Sequence, residues 1–392
     1  MMIPFRLRIK IICFQIVSFI EKFVPKKKNL VLLTSWQGEK YIDNSKYVYE
    51  YLQQCSRFET VWMTNNKNIY RSLKYQSLPV CKTKSFRGIW LQLRASVLFS
   101  SIQLADYNSW LVNRCLYIDL GHGHPIKDPG KQHLTEEFKV FTDLVLKKID
   151  YRAIVASDYA KKLYPQVINI PDDHIVISDF ARNDVFIDPS LRVGKNIIIE
   201  ENKKNCRVVV YMPTHRSMGA KTMMLEQILP LIELQNLCER NNILFVVKKH
   251  FFHRNEKESL NMYPNIIDVT NIDEIDPQVL LYQADVLVSD YSACYIDFLL
   301  LNRPILFYQY DIDSFISNER SLYYSFEDID IAPVSKNSRE FITDLENILN
   351  STYDRYQEKR NGFTKTYFNN LQQDNGRQKV VDIMQALLNE RK

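Results

Sequence analysis

Four short segments of the 392-residue chain place histidine, lysine, arginine and hydroxyl side chains directly after apolar runs. The first is Gly121-His122-Gly123-His124-Pro125-Ile126-Lys127, which follows Leu116–Leu120. Glycines on both sides of His122 free the backbone for a turn and for close approach of a ligand. A histidine exposed at such a place can serve as a general base or contact a phosphate, with Lys127 adding charge. The spacing of His122 and His124 also leaves a metal ion open, and the plainer alternative is a turn carrying two solvated histidines. The second segment, Tyr211-Met212-Pro213-Thr214-His215-Arg216, closes another strand-like run. A guanidinium there can clasp a phosphate through two donors, with Thr214 beside it; a surface arginine is the alternative. The third, Lys248-Lys249-His250, follows Ile243–Val247, and Lys248 and His250 can both donate to phosphate oxygens. The fourth, Ser289-Asp290-Tyr291-Ser292, stands between the apolar run 285–289 and a helix whose start is expected near Ser292. Free backbone N–H groups and the helix dipole make an anion site there without a glycine loop. A simple N-cap by Ser289 or Asp290 is equally open.

Glycine is scarce: nine residues, three of them between 121 and 130. No G-x-x-x-x-G-K-[ST] phosphate loop can be written, and the one G-x-G continues to Ile126 where a dinucleotide fingerprint needs a third glycine. With 46% hydrophobic and 25% charged residues the chain can bury large cores, and its length suggests two or three domains. Seven cysteines without a C-x-x-C imply reduced thiols in a cytosolic compartment and no structural zinc. The net charge of +5 is concentrated at the start, where seven basic residues face Glu21 alone within the first 30 positions. The remainder is close to neutral, which argues against a nucleic-acid partner.

Those segments need elements to position them. Apolar runs at 29–35, 60–64, 95–100, 116–120 and 153–156 alternate with helical stretches such as 43–54. After a linker at 186–206 the pattern restarts, with strands expected at 207–212, 243–248, 266–269, 285–289 and 304–308. Helices are expected at 223–239, 277–283, 296–301, 344–350 and 378–389. Such β–α alternation implies parallel sheets covered by helices, here in two α/β halves with a cleft between them. Ligands in such folds sit outside the carboxyl ends of the strands. Ahead of this, Ile9, Ile12, Ile16, Phe19 and Phe23 recur at helical spacing, opposite Arg8, Gln15, Ser18 and Lys22. The uncharged run 11–20 is too short to span a bilayer, which needs about 17–25 residues. A basic amphipathic helix on an anionic membrane surface fits this pattern; packing against its own domain is the alternative.

Taken together the motifs resemble those of the CDP-glycerol glycerophosphotransferases of teichoic-acid and capsule synthesis. Ser289-Asp290-Tyr291-Ser292, Asp297-Phe298, Arg303-Pro304, Phe307-Tyr308, Tyr310-Asp311 and Tyr323 follow that family's order. Gly121–Lys127 is similar to its W-H-G-T-P-L-K, Tyr211–Arg216 to its A-P-T-x-R, and Lys248–His250 to its K-x-H. Arg182-Asn183-Asp184 and Tyr41-Ile42-Asp43-Asn44-Ser45-Lys46-Tyr47 resemble its P-R-N-D and Y-x-D-N-P-K-Y. The departures include His124 for Thr, Ala293 for Ser, Ala181 for Pro and Ser45 for Pro. The resemblance implies a GT-B fold of two Rossmann-like domains, at 29–190 and 207–392, preceded by the membrane-surface helix 1–28. It implies transfer of glycerol phosphate, or a similar polyol phosphate, from CDP-glycerol to a hydroxyl of a lipid-linked glycan or polyol-phosphate chain. The enzyme would work at the cytoplasmic membrane face, with release of CMP. His122 and His250 become the catalytic candidates. Lys127, Thr214, Arg216, Lys248, Ser289, Asp290, Ser292, Asp297 and Asp311 become the substrate-binding ones, with neither metal nor cofactor required. A GT-B glycosyltransferase using a nucleotide sugar, or a silent membrane scaffold of a polysaccharide complex, are the competing expectations.

Overall fold

The computed structural model describes residues 5–127, 136–193, 206–216, 219, 221–254, 256, 259–319, 321–372 and 374–391. It divides into two compact units. Unit 1 comprises Met1–His122, Lys131–Asp184 and Gln373–Lys392; unit 2 comprises Gly123–Gly130 and Val185–Gln372.

Unit 1 is built on seven strands: β1 (Lys27–Leu33), β2 (Glu59–Thr64), β3 (Val80–Lys82), β4 (Ala95–Ser100), β5 (Leu116–Asp119), β6 (Asp150–Val155) and β7 (Ile175–Ile177). Their order in the sheet is β3-β2-β1-β4-β5-β6-β7, and every pairing is parallel. The runs are Val-, Leu- and Ile-rich because helices cover the sheet and leave the central strands little solvent-facing surface; Val31, Leu32 and Leu33 are fully buried. Burying each such side chain contributes roughly 1.5–3 kcal/mol. The sheet order reverses between β1 and β4, the place where open α/β sheets gather ligands beyond their strand ends.

Unit 2 repeats the scheme with β8 (Arg207–Met212), β9 (Ile243–Val247), β10 (Ile266–Asp268), β11 (Val286–Ser289), β12 (Ile305–Tyr308) and β13 (Val334–Ser335). The order is β10-β9-β8-β11-β12-β13, again all parallel, with its reversal between β8 and β11. The single helix expected at 223–239 is broken into Leu225–Ile228 and Leu231–Asn241, because Pro230 cannot donate a hydrogen bond inside a helix. The polar stretch 200–205 of the expected linker lies outside the described residues.

Two segments depart from the expected domain limits of 29–190 and 207–392. Gly123–Gly130 belongs to unit 2 although it follows β5 directly. The closing helix Gly376–Glu390 belongs to unit 1, not to the C-terminal half. Asp184, fully buried, explains the second departure. Its carboxylate accepts from the Gly376 and Arg377 backbone N–H groups at 2.6 and 3.0 Å and from Arg377 Nε at 2.8 Å. The first free amides of the helix are thereby satisfied by a charge of the sign that the helix dipole favours.

The N-terminal helix Phe5–Glu21 also belongs to unit 1. Phe14 anchors it, 2% exposed, against Trp110 and Phe141 at ring distances of 6.3 and 5.1 Å. Its apolar stripe stays outside, from Ile9 at 46% exposed to Phe23, just beyond the helix, at 73%. No helix among the described residues is long and apolar enough to cross a membrane.

Asp184→Ala leaves the Arg377 guanidinium and two buried amides without their acceptor. Breaking a buried pair from one side costs about 3–5 kcal/mol. The expected outcome is a loss of that size in urea unfolding, with faster amide exchange along 376–390.

Candidate active site

In unit 1 the candidate base sits on a turn that is stitched from several directions. Gly121 adopts φ +62°, a conformation that side-chain-bearing residues avoid. Its N–H donates to Asp119 Oδ1 at 3.1 Å. Asn44 Nδ2 donates to the carbonyls of Leu120 and Gly121 at 2.9 and 3.3 Å. Asn44 Oδ1 in turn accepts from the Arg182 backbone N–H, and Arg182 Nη1 pairs with Asp43 at 2.7 Å. The two motifs around 43–44 and 182–184 thus brace the His122 turn. Asp119 is wholly buried, and burial raises its carboxyl pKa; the Tyr164 and Tyr151 hydroxyls donate to it at 2.6 and 3.0 Å and oppose that rise.

His122 itself is exposed, with Nδ1 2.8 Å from the carbonyl oxygen of Ser101. A carbonyl can only accept, so Nδ1 carries the hydrogen, and in the neutral ring Nε2 holds the free lone pair. Trp36 meets the imidazole edge-on at 5.1 Å. Ser101 and Trp36 follow β4 and β1, the strands nearest the sheet reversal, and one buried carboxylate ties their loops together. Asp106 accepts from the Gln37 N–H at 2.6 Å and from the Ser101 and Ile102 N–H groups at 2.5 and 2.9 Å. Sequence reasoning missed Ser101, Trp36 and Asp106. The available signal was their place just beyond apolar runs, but nothing local shows that a backbone carbonyl will select a tautomer.

In unit 2 the candidates gather at the carboxyl ends of β8, β9, β11 and β12. Arg216 is 2% exposed and almost fully engaged. Its Nε and Nη2 form a fork on Asp311 at 2.8 and 2.9 Å, Nη2 also meets Asp290 at 2.9 Å, and Nη1 donates to the Thr214 carbonyl at 2.6 Å. Burial alone would lower its pKa, but Asp290 and Asp311 reverse that and hold it firmly charged. In the structure the guanidinium joins three strand ends. Asp290 accepts from the Thr214 N–H at 2.8 Å besides Arg216, and Asp311 accepts from Tyr291 Oη at 3.2 Å. Ser289 is also wholly buried, its hydroxyl 3.7 Å from Cys294 Sγ.

Ser292, Lys248 and His250 are half-buried at these ends. The helix after Ser292 begins at Cys294, two residues later than expected, and the Cys294 N–H donates to Ser292 Oγ at 3.5 Å. Lys248 follows β9 with Nζ 3.5 Å from the Val269 carbonyl, and burial pulls its pKa down to about 8. His250 accepts the Phe252 N–H on Nδ1 at 3.3 Å, so in the neutral ring Nε2 carries the hydrogen and is a donor. His215, which was not singled out, lies 4.9 Å from the His250 ring. Gly219 (φ +87°) backs this group: a Cβ there would stand 2.7 Å from Phe252 Cβ and from its carbonyl. Thr214 is 7% exposed, and its hydroxyl makes no hydrogen bond among the described residues.

Lys127 Nζ rests 5.5 Å over the Phe315 ring, and its backbone bridges Leu322. Asp297 is buried beside His124, at 3.4 Å, and does not open to a ligand. This also separates the roles of His122 and His124: the first is exposed on Ser101, the second buried on Asp297, so the paired metal-ligand spacing is not used.

Arg216→Met leaves Asp290 and Asp311 buried without their shared cation. Unfolding free energy is expected to fall by about 3–5 kcal/mol. A variant with unchanged stability and weakened phosphate affinity would instead support a direct clasp of phosphate.

A sequence model of the CDP-glycerol:poly(glycerophosphate) glycerophosphotransferase family matches residues 16–385. The chain is 26% identical over 358 residues to a teichoic acid poly(glycerol phosphate) polymerase of Bacillus spizizenii, covering 86% of each. It is 23% identical to a teichoic acid glycerol-phosphate transferase of Staphylococcus aureus, covering 87% of this chain and 89% of that one. Among solved structures, the wall teichoic acid polymerase TagF superposes with a TM-score of 0.77 at 22% identity, over 98% of this chain and 97% of that one. That likeness speaks for the fold, two parallel α/β sheets of the GT-B-like class. With a family match spanning nearly its whole length, the chain belongs to the CDP-glycerol:poly(glycerophosphate) glycerophosphotransferases.

Proposed function

We propose that this enzyme transfers glycerol phosphate from CDP-glycerol to a hydroxyl of a growing polyol-phosphate chain or lipid-linked glycan, with His122 as the general base. The observation that carries the role of His122 is its Nδ1 contact with the Ser101 carbonyl at 2.8 Å, on an exposed ring. In the neutral imidazole that contact leaves Nε2 ready to accept a proton. The acceptor hydroxyl gives its proton to Nε2 as its oxygen bonds to the β-phosphorus of the donor. The bond from that phosphorus to the bridging oxygen breaks, and CMP departs with the electron pair. Lys248 as ammonium, His250 through Nε2–H and Ser292 through its hydroxyl bind the pyrophosphate oxygens. Thr214 offers a further hydroxyl that makes no hydrogen bond among the described residues. Lys127 supplies charge next to the same turn. Preorganised donors of this kind contribute most where negative charge grows in the transition state. No metal or cofactor enters the proposal, because side-chain cations carry the charge.

A positioned base contributes about 10²–10⁴ in rate. His122→Ala is expected to lower kcat by at least the smaller figure, with unfolding unchanged and the KM for CDP-glycerol little altered. CMP release and product mass measure it, the mass identifying the polyol and counting the units added. Near-normal turnover would remove His122 from the chemistry, and loss of wild-type activity in EDTA would bring a metal into it.

The proposal extends to the membrane surface on which a lipid-linked acceptor lies. Supporting it are the outward side chains Ile12, Ile16 and Phe19 of the N-terminal helix and the exposed Lys22 and Lys28 after it. Phe86 and Trp90, on the helix Phe86–Arg94, are 95% and 48% exposed, and Arg94 Nε donates to the Pro25 carbonyl at 3.3 Å. Basic side chains near anionic lipid contribute roughly 1 kcal/mol each, and buried apolar side chains add to that. The pair of substitutions Ile16→Ser and Phe19→Ser is expected to abolish co-sedimentation with phosphatidylglycerol vesicles, while release of CMP to a soluble acceptor persists. Retained co-sedimentation would exclude this helix as the anchor.

A further inference from the structure

The chain passes from unit 1 to unit 2 between His122 and Gly123. His124 is thus only two residues beyond the candidate base, and its side chain is wholly buried in unit 2. Its Nε2 stands 3.4 Å from Asp297 Oδ1, a carboxylate whose side chain is 3% exposed. The ring packs edge-on against Phe368 and Tyr367 at 4.8 and 5.6 Å. The residues that follow are fastened to the same unit. Ile126, 2% exposed, accepts the Tyr323 N–H at 3.1 Å, and Lys127 forms an antiparallel bridge with Leu322. Tyr367 is itself held, its hydroxyl 2.7 Å from that of Tyr324.

A histidine beside a carboxylate in so dry a place is expensive unless the pair is kept together, because each group has given up its water. The simplest structural role, filling space, does not require these atoms: a phenylalanine would pack against Tyr367 and Phe368 without placing a polar ring beside Asp297. Consecutive Cα atoms are about 3.8 Å apart, so fixing His124 leaves His122 a tether of two peptide units. Gly123 gives that tether backbone freedom and so makes the downstream anchor matter more. From these observations we infer that His124, held beside Asp297, is a positioning residue: it fixes the chain two residues beyond the His122 base. The inference rests on the transfer reaction proposed above for its catalytic consequence, but the anchoring can be measured without it.

The test compares His124→Phe, which keeps the volume and loses the contact, with His124→Gln, whose amide can still reach Asp297. Each purified full-length variant is assayed for CMP release from CDP-glycerol and for backbone amide exchange of the peptides covering 119–127 and 207–216. Misplacement by an ångström costs up to about 100-fold in rate. For His124→Phe the expected result is a kcat lowered about 10- to 100-fold and a KM for CDP-glycerol within about twofold. Exchange should be faster in 119–127 and unchanged in 207–216, and His124→Gln should recover most of the lost kcat. Unchanged exchange in 119–127 together with unchanged kcat overturns the inference. So does faster exchange throughout unit 2, which would make His124 a residue of the fold at large. If the wild-type chain releases no CMP, the proposed reaction fails instead, and the exchange of 119–127 alone decides whether His124 anchors that segment.

Discussion

The strand ends of unit 2 are gathered by the buried cation Arg216. Parallel strands all end on the same side, and the loops that leave them carry polar groups that must be satisfied without a neighbouring turn of the chain. Arg216 does this for β8, β11 and β12 at once, through the Thr214 carbonyl, Asp290 and Asp311. Its planar fork matches a carboxylate in a way that lysine cannot. Desolvating a guanidinium and two carboxylates is unfavourable in itself, so the arrangement holds only because nearly every donor and acceptor is matched. Ser289 and Asp290 are wholly buried beside this network, while Ser292, Lys248 and His250 are half-buried.

Unit 1 gathers its strand ends with buried carboxylates and an amide. Asp106 gathers the loops after β1 and β4, while Asp119 and Asn44 hold the turn after β5. The consequence is chemical. His122 receives a carbonyl on Nδ1, and His250 receives a backbone N–H on the equivalent atom. In their neutral forms the two rings therefore differ at Nε2, which holds a lone pair in His122 and a hydrogen in His250. One residue type yields a base and a donor because the backbone partner differs, which is the second-atom control of histidine stated in general terms.

Much of this was legible from residue types and spacing. The runs 95–100 and 207–212 are strands with those limits, since buried parallel strands need continuous Val, Ile, Leu and Phe. The helix 277–283 is equally plain, with Asp276 capping it and proline at its first position. Glycine scarcity turns out to be compatible with a GT-B-like fold: Gly121 and Gly219 stand where positive φ is needed, and no glycine-rich phosphate loop is present. What a local stretch did not show was the partner of each polar residue at a strand end: Arg216 pairs with Asp290 and Asp311, and Asp297 lies beside His124.

The sequence by itself determined the alternating elements, the strand-end positions of the chemistry and the family, because these follow from local periodicity and from short motifs. Tertiary structure alone decided which polar groups pair. Arg216 finds Asp311 across 95 residues, and Asp184 finds Arg377 across 193. It also decided that His122 stands exposed on Ser101 while His124, two residues away, is buried on Asp297. The physical reason is that a buried charge must be matched by whatever group the fold brings within about 3 Å, and nothing in a local stretch of sequence encodes that distance.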